Sequence, residues 1–120
     1  MHTILVVDDV ETDRQLAGRI VSSAGHHPIY AENGLEAIAK AKGMQPALIL
    51  MDVVMPLQDG FKTTRELKRN PETSKIPIVL VTSKGTESDR FWGKRQGADD
   101  HIAKPFSPSS LLLLIRRYAG

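Results

Sequence analysis

Ala47-Leu48-Ile49-Leu50-Met51-Asp52 is an unbroken apolar run that ends in a carboxylate. Continuous apolar runs of this length are typical of strands that are covered on both faces of a parallel sheet. On either side of it, similar runs occupy Ile4–Val7 and Ile76–Val81, and weaker ones occupy Pro28–Ala31 and His101–Ala103. The chain therefore predicts five strands, of which the run before Asp52 is the third.

Helical patterns lie between these runs. Apolar residues recur from Leu16 to Ala24 at the helical spacing and Gly25 follows as a stop, which predicts a first helix of about 13 residues. Asn33 is a candidate cap for a second helix, and Gly43 is the residue expected to close it. The alternation of strand and helix thus begins within the first half of the chain.

Three further helices are predicted in the second half. Asp59 would cap the third, which ends before Asn70 because Pro71 follows. A fourth is expected over Glu87–Gln96. The fifth has Ser107 at its cap and a proline at its first helical position, which is a favoured arrangement.

This alternation indicates an α/β fold with a doubly wound, five-stranded parallel sheet and five helices, because short links between parallel strands require right-handed crossovers. In such sheets ligands bind outside the carboxyl ends of the strands. Four of the predicted strands end in polar residues, at Asp8-Asp9, Asp52, Thr82-Ser83 and Lys104-Pro105. We expect these residues to meet at one edge of the sheet.

The composition fits one globular domain over residues 1–120 with no effector domain, at 41% hydrophobic and 25% charged residues. The absence of cysteine agrees with a reducing compartment, and the first apolar run is too short to span a membrane, so we expect a cytoplasmic protein. The net charge is +2, but Lys and Arg are scattered. We therefore expect neither nucleic acid binding nor membrane insertion, and a monomer or weak dimer.

Three carboxylates at one edge repel one another unless a cation lies among them, which indicates a hard divalent metal such as Mg²⁺. Asp9 and Asp52 are the expected direct ligands. Asp8 would bind through water, and the backbone carbonyl of Val54 would fill a further position. An alternative role for Asp8 and Asp9 is to cap the first helix.

Asp52 is the residue expected to react, because a carboxylate oxygen can attack phosphorus while a metal offsets the charge of the transferred group. Lys104 would neutralise phosphoryl oxygens, and the hydroxyl of Thr82 would donate a hydrogen bond to one of them. Each residue has an ordinary alternative, namely a strand end facing water for Asp52 and Thr82 and an exposed lysine for Lys104. Phosphorylation of an aspartate with Mg²⁺ fits the set best.

The chain resembles the receiver domain of two-component response regulators over essentially its whole length. The resembling motifs are Val6–Asp9, Met51–Pro56 with Asp59-Gly60, Val81–Ser83 and Lys104–Phe106. Two further segments, Ala31–Gly34 and Trp92–Ala98, look like the regulators of type IV pilus twitching motility of the PilG and PilH type.

The resemblance implies a flavodoxin-like sheet of order 2-1-3-4-5 and a Lys104-Pro105 bond that is often cis. It also implies phosphorylation of Asp52 by a partner histidine kinase, with Mg²⁺ held by Asp8, Asp9 and Asp52, and a downstream target protein. In this family Thr82 is coupled to an aromatic residue, and His101 occupies that position here. We expect the His101 ring to swing inward on phosphorylation; the alternative is a partly exposed residue without a role.

The signal is expected to pass through the fourth helix, fifth strand and fifth helix. The candidate contacts to a partner are Arg90, Trp92, Lys94 and Arg95. For the adjacent aromatic residues Phe91 and Trp92, the pattern predicts that one packs in the core and the other lies on the surface.

The leading interpretation is a stand-alone phosphoacceptor switch in pilus motility or chemotaxis, which is not an enzyme. A phosphate sink for a sister regulator is one alternative. An aspartyl-phosphate phosphatase is another, although Val54 occupies the place of the second Asp of haloacid dehalogenases. A flavodoxin would need a phosphate-binding loop after the first strand, and a nucleic acid binder would need a recognition element, and the sequence offers neither.

Overall fold

The structure is a computed structural model that describes residues 1–55, 58–83 and 87–120, without the side chains of residues 87–90. Strands and helices alternate throughout these ranges. Their bounds are β1 Thr3–Val7, α1 Glu11–Ser23, β2 His27–Ala31, α2 Gly34–Met44, β3 Leu48–Asp52, α3 Gly60–Arg69, β4 Ile78–Thr82, α4 Glu87–Arg95, β5 Asp100–Ala103 and α5 Pro108–Ala119. The α/β fold class predicted from the sequence is confirmed.

The five strands form one parallel sheet in the order β2-β1-β3-β4-β5, as the resemblance implied. Val7 lies opposite Met51, Asp52 lies opposite Val81, and Thr82 lies opposite Ala103. This register brings the carboxyl ends of β1, β3, β4 and β5 to the same edge. The polar residues that end those strands therefore share one side of the molecule.

The sheet separates two apolar layers because its side chains alternate between faces. One layer packs β-strand residues such as Leu50 against α1 and α5, which contribute Ile20 and Leu111. The other packs residues such as Met51 against α2 and α3, which contribute Ala41 and Leu67. All residues of β3 and β4 are buried, so these two strands hold Asp52 and Thr82 on a rigid base.

Three helices begin at the residues that the sequence predicted as caps. The side chains of Asn33, Asp59 and Ser107 accept hydrogen bonds from the backbone N–H groups of Glu36, Lys62 and Ser110, at 2.9, 2.8 and 3.2 Å. Such a cap contributes about 1 kcal/mol to stability.

The prediction that Gly43 closes the second helix is wrong. Helix α2 continues through Gly43 to Met44, and Gln45 adopts a left-handed conformation with φ 47°. The Gln45 side chain donates hydrogen bonds to the carbonyls of Ala41 and Glu72, at 3.3 and 3.0 Å. These bonds stabilise a conformation that glycine usually provides, and the sequence does not reveal them.

No helix within the described residues is both long enough and apolar enough to cross a membrane.

Candidate phosphoacceptor and metal site

Three carboxylates gather where β1 and β3 end. Asp8 and Asp9 follow β1 and Asp52 is the last residue of β3, and oxygen atoms of the three side chains lie within 4.8 Å of one another. Asp8 and Asp52 are only 5% and 6% exposed, whereas Asp9 is exposed. The gathering expected from the sequence is therefore present, with two of its carboxylates largely removed from water.

Lys104 brings a positive charge to this group. It follows β5, and its Nζ lies 2.8 Å from Asp8 Oδ2 and 3.5 Å from Asp52 Oδ1. The Lys104-Pro105 peptide bond is cis, as the resemblance implied. The backbone N–H of Lys104 donates to the carbonyl of Thr82 at 2.6 Å, which fixes the start of this loop against β4.

Sequence reasoning missed Asp13. This residue lies in the first turn of α1, and its Oδ2 accepts a hydrogen bond from Lys104 Nζ at 3.0 Å. The available signal was an acidic residue four positions after Asp9, in the helix that leaves the carboxyl end of β1.

The loop between β1 and α1 is held by Arg14 and by Asp8 itself. Arg14 donates to the carbonyl oxygen of Asp8 at 2.7 Å, and Asp8 Oδ1 accepts from the backbone N–H of Val10 at 2.9 Å. Val10 is the residue at the N-cap of α1, and no side chain caps it. Asp8 therefore braces the loop and faces Lys104, and neither Asp8 nor Asp9 is the helix cap considered as an alternative.

The electrostatics of the group favour a cation. Burial and the Asp8 carboxylate raise the pKa of Asp52 to about 6, although Lys104 partly offsets this effect. Burial lowers the pKa of Lys104, but hydrogen bonds to Asp8 and Asp13 outweigh it and the net pKa is raised. The Lys104 ammonium alone thus does not offset the burial of Asp52 and the charge of Asp8. A further positive charge beside Asp52 would favour its ionised form.

The donor set suits Mg²⁺, because this ion prefers carboxylate oxygens and keeps several waters. Asp8, Asp9 and Asp52 would hold it, because their carboxylate oxygens lie close enough together to bind one ion. Val54 lies two residues beyond Asp52 in the loop after β3 and is 69% exposed. Its carbonyl remains a predicted ligand.

Gly60 explains why α3 can begin so close to the site. A Cβ atom at Gly60 would overlap the backbone carbonyl oxygen of Asp52. The Gly60 N–H donates to the carbonyl of Val53 at 2.8 Å. The Asp59-Gly60 pair therefore combines a helix cap with the close approach of α3 to the end of β3 that only glycine permits.

Thr82 and His101 lie on the neighbouring strands β4 and β5. Thr82 is 3% exposed at the end of β4. His101 lies opposite Leu80 in β5 and is half-buried. Together with Gly93 of α4, Leu80 and His101 line a cavity of about 320 Å³. There is thus space beside His101, and its role as a switch remains a prediction.

The residues predicted for the partner surface lie on α4. Trp92, Lys94 and Arg95 are exposed, while the side chain of Arg90 lies outside the described residues. Phe91 and Trp92 are 58% and 53% exposed, and their rings meet edge to face.

The prediction that one of these two aromatic residues packs in the core is wrong. The reason is Gly93, the buried residue that follows them, because a Cβ atom there would lie 2.5 Å from the Leu80 side chain. The helix therefore turns its glycine toward the sheet and both rings outward.

A buried aspartate beside two further carboxylates and a lysine, at the carboxyl edge of a 2-1-3-4-5 sheet, is the arrangement expected of a receiver-type fold. Residues 4–116 match the family described as the response regulator receiver domain, and the chain belongs to this family.

Known proteins agree with this assignment. Protein PilH of Pseudomonas aeruginosa is 44% identical over 115 residues, which cover 96% of this chain and 95% of PilH. The structure of the Vibrio cholerae chemotaxis protein CheY4 matches with a TM-score of 0.92 at 31% identity, covering 98% of both chains. Both the receiver resemblance and the narrower likeness to pilus regulators are confirmed.

A third match bears on the metal. The receiver domain of the Pseudomonas aeruginosa sensor histidine kinase PA1611 matches with a TM-score of 0.90 at 27% identity, covering 98% of this chain and 96% of that one. That protein was crystallised with a magnesium ion coordinated in its active site cleft.

Proposed function

We propose that this protein is a phosphoacceptor switch that takes a phosphoryl group from a histidine kinase onto Asp52 and thereby changes its affinity for a target protein. The observation that carries the proposal is the nearly buried Asp52 carboxylate beside two further carboxylates and 3.5 Å from the Lys104 ammonium. Burying a carboxylate costs stability, so the position of Asp52 favours a role in function over a role in holding the fold together.

The chemistry follows from the residues at the site. An Asp52 oxygen forms a bond to phosphorus as the bond between phosphorus and the donor imidazole nitrogen breaks, so the electron pair leaves with the kinase histidine. Bound Mg²⁺ would neutralise the charge of the phosphoryl oxygens and of the carboxylates around them. We expect Lys104 to pair with a phosphoryl oxygen from the side of β5, and the Thr82 hydroxyl to donate a hydrogen bond to one from β4.

The phosphoryl group adds about two negative charges at an edge that already holds four carboxyl groups. Thr82 and Lys104 would both move toward those charges, and the cavity beside His101 gives its ring room to change position. In the His101→Ala variant we expect phosphorylation to continue while the affinity of the phosphorylated form for its target drops. Unchanged affinity would discard His101 as a switch.

The cellular role that we propose is pilus motility or chemotaxis, with residues 1–120 acting as a stand-alone cytoplasmic regulator, as a monomer or weak dimer. The similarity to PilH along nearly the whole length of both chains supports this role. The exposed aromatic and basic residues of α4 are the candidate contact to the target, because large aromatic side chains often dominate binding energy. A regulator of this kind either passes the signal on or drains phosphate from a sister regulator.

The proposal is tested by incubation with acetyl phosphate and Mg²⁺ followed by intact mass measurement. We expect the gain of one phosphate, which is lost in Asp52→Asn or after addition of EDTA. Asp59→Asn is the matched control, because asparagine also caps a helix and Asp59 is exposed outside the acidic group. Many turnovers of phosphate release would instead indicate an aspartyl-phosphate phosphatase, and no mass gain would refute the proposal.

A further inference from the structure

Lys104 is shared by three carboxylates that come from the loop after β1, from α1 and from β3. Its Nζ lies 2.8 Å from Asp8 Oδ2, 3.0 Å from Asp13 Oδ2 and 3.5 Å from Asp52 Oδ1. Asp8 and Asp52 belong to the acidic group that fits a metal, whereas Asp13 does not. Asp13 is therefore the one partner of Lys104, among these three, whose carboxylate stays available to the ammonium when a metal is bound.

A metal ion and the Lys104 ammonium would compete for the same two carboxylates, those of Asp8 and Asp52. The oxygens of Asp8 and Asp52 that face Lys104 are on the side chains that would ligate Mg²⁺. The more tightly these two carboxylates hold the ammonium, the less favourable the uptake of a divalent ion becomes. A carboxylate on the far side of Lys104 weakens that hold, because the ammonium divides its hydrogen bonds among its partners.

The exposures of these side chains show which partner is suited to this task. The Asp8 and Asp52 side chains are 8% and 9% exposed, while the Asp13 side chain is 42% exposed. Asp13 lies in the first turn of α1 and not in the loops that carry Asp9 and Val54. It can therefore hold the ammonium from a regular element at little desolvation cost.

We propose that Asp13 is a positioning residue that holds the Lys104 ammonium on the α1 side of the acidic group, so that Asp8 and Asp52 are available to a divalent cation while Lys104 remains beside Asp52. This inference rests on the proposed function and adds a residue to it. Asp13 thereby changes the affinity for the metal by holding Lys104, and not by a direct electrostatic interaction between its own carboxylate and the metal.

The test is titration calorimetry of Mg²⁺ into the wild type, Asp13→Asn, Lys104→Gln and the double variant. Asp13→Asn should weaken Mg²⁺ binding by about two- to fivefold, because a partly exposed ion pair of this kind changes an equilibrium by that factor. Lys104→Gln should tighten binding, because it removes the competing cation. In the Lys104→Gln background, the change at Asp13 should have almost no effect.

Glu11→Gln is the matched control. Glu11 lies in the same first turn of α1 and its carboxylate accepts from Gln15 at 3.2 Å, away from Lys104. Asp13→Glu keeps a carboxylate on the same turn and should restore most of the affinity. Circular dichroism of each variant checks that the fold is retained.

The outcomes separate cleanly. If Asp13→Asn behaves like Glu11→Gln, or weakens Mg²⁺ binding equally with and without Lys104, the inference is wrong because Asp13 then acts as a distant charge or not at all. If the wild type takes up no Mg²⁺, the metal part of the proposed function fails first. Uptake by the wild type without coupling between Asp13 and Lys104 overturns only this inference.

Discussion

Asp52→Asn should stabilise the metal-free protein at neutral pH. Burial and the nearby Asp8 carboxylate raise the pKa of Asp52 from 3.8 to about 6, even with Lys104 opposing them. The folded chain therefore binds the Asp52 proton more tightly than the unfolded chain does. Asparagine has nearly the same shape and no charge, so it removes the cost of keeping an ionised carboxylate in this position.

The magnitude follows from the two pKa values. The difference corresponds to about 3 kcal/mol at 1.36 kcal/mol per pKa unit, which is an upper figure for the gain at pH 7. Since the folded pKa is the raised one, the wild type loses this stability as the pH rises from about 4 to about 6. The advantage of Asp52→Asn should therefore vanish near pH 4 and reach its full size by pH 7.

The assay is urea unfolding followed by circular dichroism, at several pH values between 4 and 7 with EDTA present. Glu11→Gln serves as the control, because Glu11 is exposed and lies outside the acidic group. Addition of Mg²⁺ should stabilise the wild type more than Asp52→Asn, since a ligand of the folded state stabilises in proportion to its binding. An Asp52→Asn variant that is no more stable than the wild type at pH 7 would refute the reasoning.

Three further predictions concern the scaffold, each checked by urea unfolding. Burial lowers the pKa of His26, so the wild type should lose stability relative to His26→Gln as the pH falls below about 6.5; a constant difference between them would contradict this. Gly60→Ala should lower the free energy of unfolding by about 1–3 kcal/mol or more, because the added Cβ meets the backbone of β3. Gly43→Ala should raise it by roughly 0.5–1 kcal/mol, because there is open space around Gly43. Equal effects of the two changes would refute the close approach at Gly60. The Thr64 hydroxyl is buried without a hydrogen-bond partner among the described residues, so Thr64→Val should be neutral or stabilising by about 1 kcal/mol, and a clear loss would show a missed bond.

The strands were predictable because a strand that is buried on both faces appears in the sequence as a continuous apolar run. The run Ile76–Val81 predicted the fourth strand, yet β4 begins at Ile78 and ends at Thr82. Ile76 is 7% exposed and lies in the apolar layer of α2 and α3 without belonging to the strand. Hydrophobicity reports burial, whereas a strand is defined by its hydrogen-bonded ladder, and the two differ at the ends of an element.

The gathering of Asp8, Asp52 and Lys104 was also predictable, because parallel strands bring their carboxyl ends to one edge. Asp13 was not, since it lies on a helix and not at a strand end, and its pairing with Lys104 depends on the direction in which α1 leaves the sheet. That Phe91 and Trp92 are both exposed was missed for a similar reason, because the rotation of a short helix is set by its packing partners.

The separation in sequence between Asp8 and Lys104, 96 residues, has a consequence for the newly made chain. While the ribosome is still adding residues, Asp52 is present long before β5 can pair with β4 and deliver Lys104. An unfinished polypeptide without β5 thus holds Asp8, Asp13 and Asp52 without the Lys104 ammonium that pairs with them. Docking of the last strand therefore completes the ion pairs at this edge of the sheet, which a shorter chain lacks.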